Sequence, residues 1–240
     1  MRFRFPAPSR ILAAALSAVA LSAAAADPAP PVALAAVDLS AAAADATPPG
    51  VPVKLIDTDE IVYDRSQVEW SEAYLQWIAT FARGNSPVSD TTGALCAAKQ
   101  DGDVWFLAAS DGTGPVERRC SIPAGKTLFV PLATTLERSG NKEPVCETMV
   151  RIAAGNLTHV AQLTMTIDGV AVDNMESHRI PTGDCFALGA RQTPRSTART
   201  AVADGYYVML EPLSPGPHTI VVGARFDSTP LSTTYHLDVH

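Results

Sequence analysis

Five histidines, His159, His178, His218, His236 and His240, are the side chains in this 240-residue chain best suited to hold a metal or move a proton near neutral pH. His236, Asp238 and His240 fall at two-residue intervals, so an extended strand turns all three to one face and Tyr235, Leu237 and Val239 to the other. That triplet is the candidate metal site. A further imidazole would have to come from His218, but the apolar register of Ile220, Val222, Ala224 and Phe226 places His218 on the Tyr235 side. The histidines are then split, with His218 expected to hydrogen-bond within its own turn. Arg191, Arg195 and Arg199 form a second cluster in a stretch rich in Pro, Ser and Thr. Clustered guanidinium groups match carboxylate and phosphate geometry, which makes these the candidate ligand-binding residues; the plainer reading is a solvated loop.

The carboxylates are too numerous for any pair to stand out, and a glycosidase pair needs a fixed separation that sequence does not supply. Asp101, Asp103, Asp168 and Asp204 each adjoin a glycine and read as turn residues. Asn156-Leu157-Thr158 matches a glycosylation acceptor. The chain contains no G-x-S-x-G elbow, HExxH helix, P-loop or Rossmann glycine pattern. No catalytic residue and no cofactor is assigned on this basis.

Composition narrows the classes further. The chain is 47% apolar and 18% charged, which suits a packed globular protein. With 18 basic against 25 acidic residues the formal charge is -7, so a nucleic-acid backbone is not an expected partner. Arg2, Arg4 and Arg10 precede the uncharged run from Ile11 to Ala26, the order of a cleavable secretory signal. Residues 27–52 are rich in Ala and Pro and read as a linker, and nothing after Pro52 is apolar enough to span a membrane. The expected location is secreted or periplasmic. Export makes the four cysteines candidates for two bridges. By proximity these are Cys96 with Cys120 and Cys146 with Cys185; the two other pairings stay open.

These groups must be positioned by a β-rich fold. Trp70, Tyr74, Trp77, Ile78 and Phe81 make one helical stripe between Gln67 and Arg83, with Ser71 and Glu72 near its start and Gly84-Asn85 after it. Such a row either stacks on sugars or, more commonly, is buried against a sheet. Val104 to Ala108 is continuously apolar and reads as a central strand buried on both faces. Leu128 to Val130, Leu163 to Ile167, the hairpin at Asp168-Gly169, Tyr206 to Leu210, Thr219 to Phe226 and Thr233 to Val239 complete the strands. The expectation is one domain over 53–240: a mainly β, antiparallel sandwich or jelly roll with one amphipathic helix on its N-terminal side.

Taken together, Trp70-x6-Trp77, Cys96-x3-Gln100-x3-Val104-Trp105-Phe106-Leu107, Cys120-x-Ile122-Pro123-x-Gly125-Lys126 and Asp204-Gly205-Tyr206-Tyr207 resemble a group of exported microbial proteins known only as signal or secreted proteins. The resemblance implies export, the two cysteine elements and a β-rich fold, and no activity. Two functions follow as expectations. The first is a non-catalytic module that binds a glycan, an envelope component or a protein. The alternative is an extracytoplasmic hydrolase whose carboxylates or histidines are assembled only by the fold.

Overall fold

The computed structural model describes residues 53–112, 114–139, 145–189 and 199–240. The expected signal segment 1–26 and linker 27–52 lie outside them, as do Arg191 and Arg195. The described chain is mainly β, with two sheets packed face to face. In chain order the elements are β1 (Leu55–Ile56), α1 (Gln67–Ala79), β2 (Val104–Phe106), β3 (Val116–Ile122), β4 (Thr127–Arg138), α2 (Cys146–Leu157), β5 (Val160–Ile167), β6 (Val170–Val172), a 3-10 turn (Met175–His178), β7 (Arg179–Pro181), β8 (Phe186–Ala187), β9 (Thr200–Leu210), β10 (Gly216–Phe226) and β11 (Thr229–Val239).

The first sheet runs β1-β9-β4-β2, with β7 and β8 also on β9; the second runs β3-β11-β10-β5-β6. Most pairings are antiparallel, but β2 pairs with β4, and β3 with β11, in parallel. The cause of the first is connectivity. The chain passes from β2 in one sheet to β3 in the other and back to β4, and two reversals leave β2 and β4 pointing the same way. Val104 to Phe106 is therefore an edge strand and not the central one expected. Its continuous apolar character has another source: α1 covers one of its faces and the second sheet the other.

The main core lies between the sheets, where Leu128, Val130, Val208 and Leu210 meet Met165, Ile220, Val222, Tyr235 and Leu237. A second apolar layer lies outside the first sheet. There Tyr74 packs on Phe106, Phe129 and Tyr207 with ring centroids 5.9, 5.9 and 6.2 Å apart, and Trp77 lies 5.6 Å from Phe106. The aromatic stripe of α1 is thus core. The helix starts at Gln67, as expected, behind a reciprocal capping box of Ser66 and Glu69, and it ends at Ala79 rather than Arg83. A second helix, α2, was not expected; of its residues only Ala153 and Leu157 are buried.

Both cysteine pairings expected from proximity are present, with Cα separations of 5.6 Å for Cys96–Cys120 and 5.4 Å for Cys146–Cys185. Two disulfides indicate an oxidising, extracytoplasmic environment. Among the described residues no helix is long and apolar enough to cross a membrane.

Candidate functional site

Strand direction decides which loops share an end of the sandwich. The ends of β4 and β10 and the starts of β5, β9 and β11 lie at one end, toward which β2 runs. Among the described residues, the chain there comprises 107–112, the tip of the β10–β11 hairpin, Ser139 after β4, and Leu188 and Arg199 before β9. Arg138 closes β4 opposite Ala201, Ser139 N donates to Thr200 O at 2.8 Å, and Leu188 N donates to Arg199 O at 2.7 Å. These bonds hold Arg138 and Arg199 on neighbouring strand termini.

A cavity of about 1270 Å³ opens at this end, beside the C-terminus of α1, and its wall includes Phe81, Arg83, Val88, Arg138, Leu188 and Arg199. Three arginines from three separate chain segments therefore border one space. Lys99 adds a fourth positive charge nearby: its Nζ donates to Thr80 O at 2.7 Å and sits 4.5 Å above the Phe81 ring. Among the described residues no carboxylate forms an ion pair with Arg83, Arg138 or Arg199. A guanidinium without a carboxylate partner among the described residues has donors to offer a ligand. Asp111 also borders the cavity and is the one carboxylate among the described residues of its wall.

The other candidates are placed as follows. His236, Asp238 and His240 share the outer face of β11, where a four-residue separation corresponds to about 13 Å along a strand. His236 Nε2 lies 2.6 Å from Glu117 Oε1 and His240 Nδ1 lies 3.3 Å from Ser121 Oγ, both on β3, and Asp238 pairs in register with Ser121. The fold does not bring the triplet around one point. Among the described residues, Cys146, Asp184 and Cys185 do converge, but their sulfurs are joined to each other.

His218 stands opposite Leu237, as the apolar register requires, and has the outline of a serine, histidine and carboxylate relay. Nδ1 is 2.7 Å from Asp168 Oδ2, and Nε2 is 3.3 Å from Ser214 Oγ. The shorter contact of Nε2, however, is 2.9 Å to the backbone oxygen of Ser214. A nitrogen turned to a carbonyl acts as a donor and is not offering a lone pair to the hydroxyl. His218 thus ties the β5–β6 turn to the loop before β10.

Asp168 does sit in that turn, and Asp101 accepts from Gly102 N in another. Asp204 does not. It lies inside β9, 2% exposed, and accepts two bonds from Arg179, Nε to Oδ1 at 3.0 Å and Nη2 to Oδ2 at 2.6 Å. The glycine after it serves a close approach instead of a turn: a Cβ on Gly205 would meet Ala133 O at 2.8 Å.

Sequence reasoning missed Arg83 and Arg138, which have no local signal, since only the fold brings them beside Arg199. It also missed Arg118, although alternation could have found it. Arg118 is in phase with Val116, Cys120 and Ile122, the buried face of β3.

The fold and its borders define a disulfide-bonded, two-sheet β protein with basic residues at its loop-bearing end. No protein-family model matches the chain, and no curated protein matches it. Solved structures with some likeness include PbICP-C in complex with falcipain-2, 12% identical over 58% of this chain and 100% of that one, with a TM-score of 0.27. Amebosin in solution is 9% identical over 52% of this chain and 96% of its own, at 0.19. The cysteine protease inhibitor EhICP2 from Entamoeba histolytica is 13% identical over 57% and 95%, at 0.23. At these scores the likeness carries no reading of this chain's function.

Proposed function

We propose that this chain is an exported, non-catalytic binding module that engages an acidic partner, glycan or protein, through the loop-bearing end of its sandwich. The observation that carries this reading is the convergence of Arg83, Arg138 and Arg199 on one cavity in a chain whose net charge is -7. A local excess of guanidinium on an acidic body gives selectivity by repulsion elsewhere and attraction at one place. Arg191 and Arg195 precede Arg199 in the sequence and lie outside the described residues.

The test uses the purified, oxidised chain on heparin and on immobilised polyglutamate. Retention is expected on at least one of them at low salt, with elution as the ionic strength rises. Replacing Arg83, Arg138 and Arg199 together by Ala removes that retention. Equal elution of the wild type and the triple variant sinks the proposal.

A further inference from the structure

A second cavity, which shares Asp111 with the wall of the basic one, lies between the two sheets near the same end. It has a volume of about 390 Å³, and its walls include Leu132 and Ala133 of β4, Val222 and Ala224 of β10, and Leu231 of β11. A sandwich interior is normally close-packed, so a gap of this size needs a cause. Two irregularities supply it. The β4–β9 register shifts between Pro131 and Ala133, where proline has no N–H for the ladder, and the β10–β5 register shifts between Gly223 and Arg225. Each shift borders the cavity, one on each sheet, so the two layers part at the same level. Both walls also carry alanine there, at Ala133 and Ala224, while the flanking inward positions carry larger Leu and Val side chains.

The chemistry of the lining selects the occupant. Hydroxyl side chains, Ser110, Thr135, Thr229 and Ser232 among them, ring an apolar interior, and no Lys, Arg or His is among the described residues of the wall. An anion would find no counter-charge. The one carboxylate, Asp111, already has an interaction of its own, which leaves none set aside for a cation. At the tip of the hairpin Phe226 is 39% exposed, with the His159 ring 5.8 Å from it and His159 held to Asp227 at 2.7 Å. An apolar cavity of about 150 Å³ takes a single benzene, so this one has room for roughly a two-ring molecule. It also falls at the small end of ligand sites, about 300 to 1000 Å³.

We propose that the cleft between the sheets binds an uncharged, apolar small molecule of about two fused rings. The probe for the test is prodan, an uncharged naphthalene whose emission shifts to the blue in apolar surroundings; the anionic naphthalene sulfonate ANS serves as the charged comparison. Saturable one-to-one prodan binding is expected, at least tenfold tighter than that of ANS, and unchanged in the Arg83, Arg138 and Arg199 triple variant. Ala224→Leu fills the cleft and weakens prodan at least tenfold. Should that variant fold poorly, methyl NMR of the wild type decides the matter: prodan is expected to shift the signals of Leu132, Val222, Ala224 and Leu231 and to leave Ile56 of β1, in the outer apolar layer, in place. No saturable binding, equal affinity for both probes, undiminished binding by folded Ala224→Leu, or shifts confined to other methyls overturns the proposal. Because the arginine variant is scored separately, loss of the acidic-partner reading leaves this result standing, and the converse also holds.

Discussion

Arg118 and Tyr235 share one acceptor, the backbone oxygen of Ala108. Tyr235 Oη donates to it at 2.8 Å, and Arg118 Nη1 donates to the same atom. Arg118 is 1% exposed and faces no carboxylate among the described ion pairs. Its remaining donors go to Asp90 O at 2.7 Å, Val88 O at 3.2 Å and Ala109 O at 3.2 Å. One planar guanidinium thus fastens the 88–90 loop and the 108–109 connection to β3, and both segments border the cavities described above. Burial pushes the Tyr235 hydroxyl above its ordinary pKa, against the opposing pull of the Arg118 charge, so the phenol remains a donor.

Removing that fork leaves several buried acceptors unmet, each at roughly 1 to 3 kcal/mol. Arg118→Met is expected to lower the unfolding free energy by at least about 3 kcal/mol in urea. Arg118→Lys recovers less than half of it, because one ammonium cannot reach carbonyls on both sides of the fork. A methionine variant within about 1 kcal/mol of wild type contradicts this account.

The disulfides allow loop entropy to be separated from packing. Cys96–Cys120 closes 24 residues and Cys146–Cys185 closes 39, so the loop model assigns each about 3 to 4 kcal/mol, slightly more to the second. Cys120, however, is 4% exposed in the core between the sheets, whereas Cys146 and Cys185 are half-buried. Packing should reverse the order. The Cys96→Ala, Cys120→Ala double variant is expected to lose more stability than the Cys146→Ala, Cys185→Ala pair, as measured by urea unfolding without reductant.

Periodicity made the strands and α1 legible, because burial on one face leaves a two-residue or 3.6-residue trace. It also set the His218 register opposite Leu237. It failed where one local pattern has two physical causes. Asp204-Gly205 reads as a turn, yet in β9 the carboxylate is buried for Arg179 and the glycine is there for space. A strand covered by a helix looks apolar on both faces, so Val104 to Phe106 passed for a central one. The basic cavity was only one-third legible: Arg199 belongs to a sequence cluster, while Arg83 and Arg138 reach it through strand and helix placement alone.

Gly205 gives that misreading an experiment. Its added Cβ would meet Ala133 O at 2.8 Å, Tyr207 Cε2 at 2.9 Å and Thr134 Oγ1 at 3.0 Å, and a backbone oxygen in the middle of a sheet cannot turn aside. Gly205→Ala is expected to destabilise by about 1 to 3 kcal/mol, even though alanine is the better-behaved residue in a strand backbone. A neutral or stabilising result in thermal and urea unfolding shows that the site has room for a methyl group and contradicts this account.

His178 supplies a pH dependence with a definite sign. Its side chain is buried, 8% exposed, and its Nδ1 has no hydrogen-bond partner among the described residues. Burial lowers its pKa below the ordinary 6.5, outweighing the charge of Asp57, which pulls the other way. The unfolded chain therefore takes up a proton before the folded chain does. Above pH 6.5 both forms are neutral and the contribution is complete; as pH falls below 6.5 the unfolded state gains the proton first, and stability is lost until the folded pKa is reached. The Asp90 carboxyl acts in a separate window. Burial raises it, but bonds from the Leu95, Thr92 and Gly93 N–H groups prevail and hold it below 3.8, so its contribution is lost only in stronger acid. His178→Gln is expected to reduce the loss of unfolding free energy between pH 6.5 and 5, whatever its effect at pH 8, while leaving the steeper loss below pH 4 in place. Parallel stability curves for wild type and variant across pH 5 to 8 would remove His178 from the acid response.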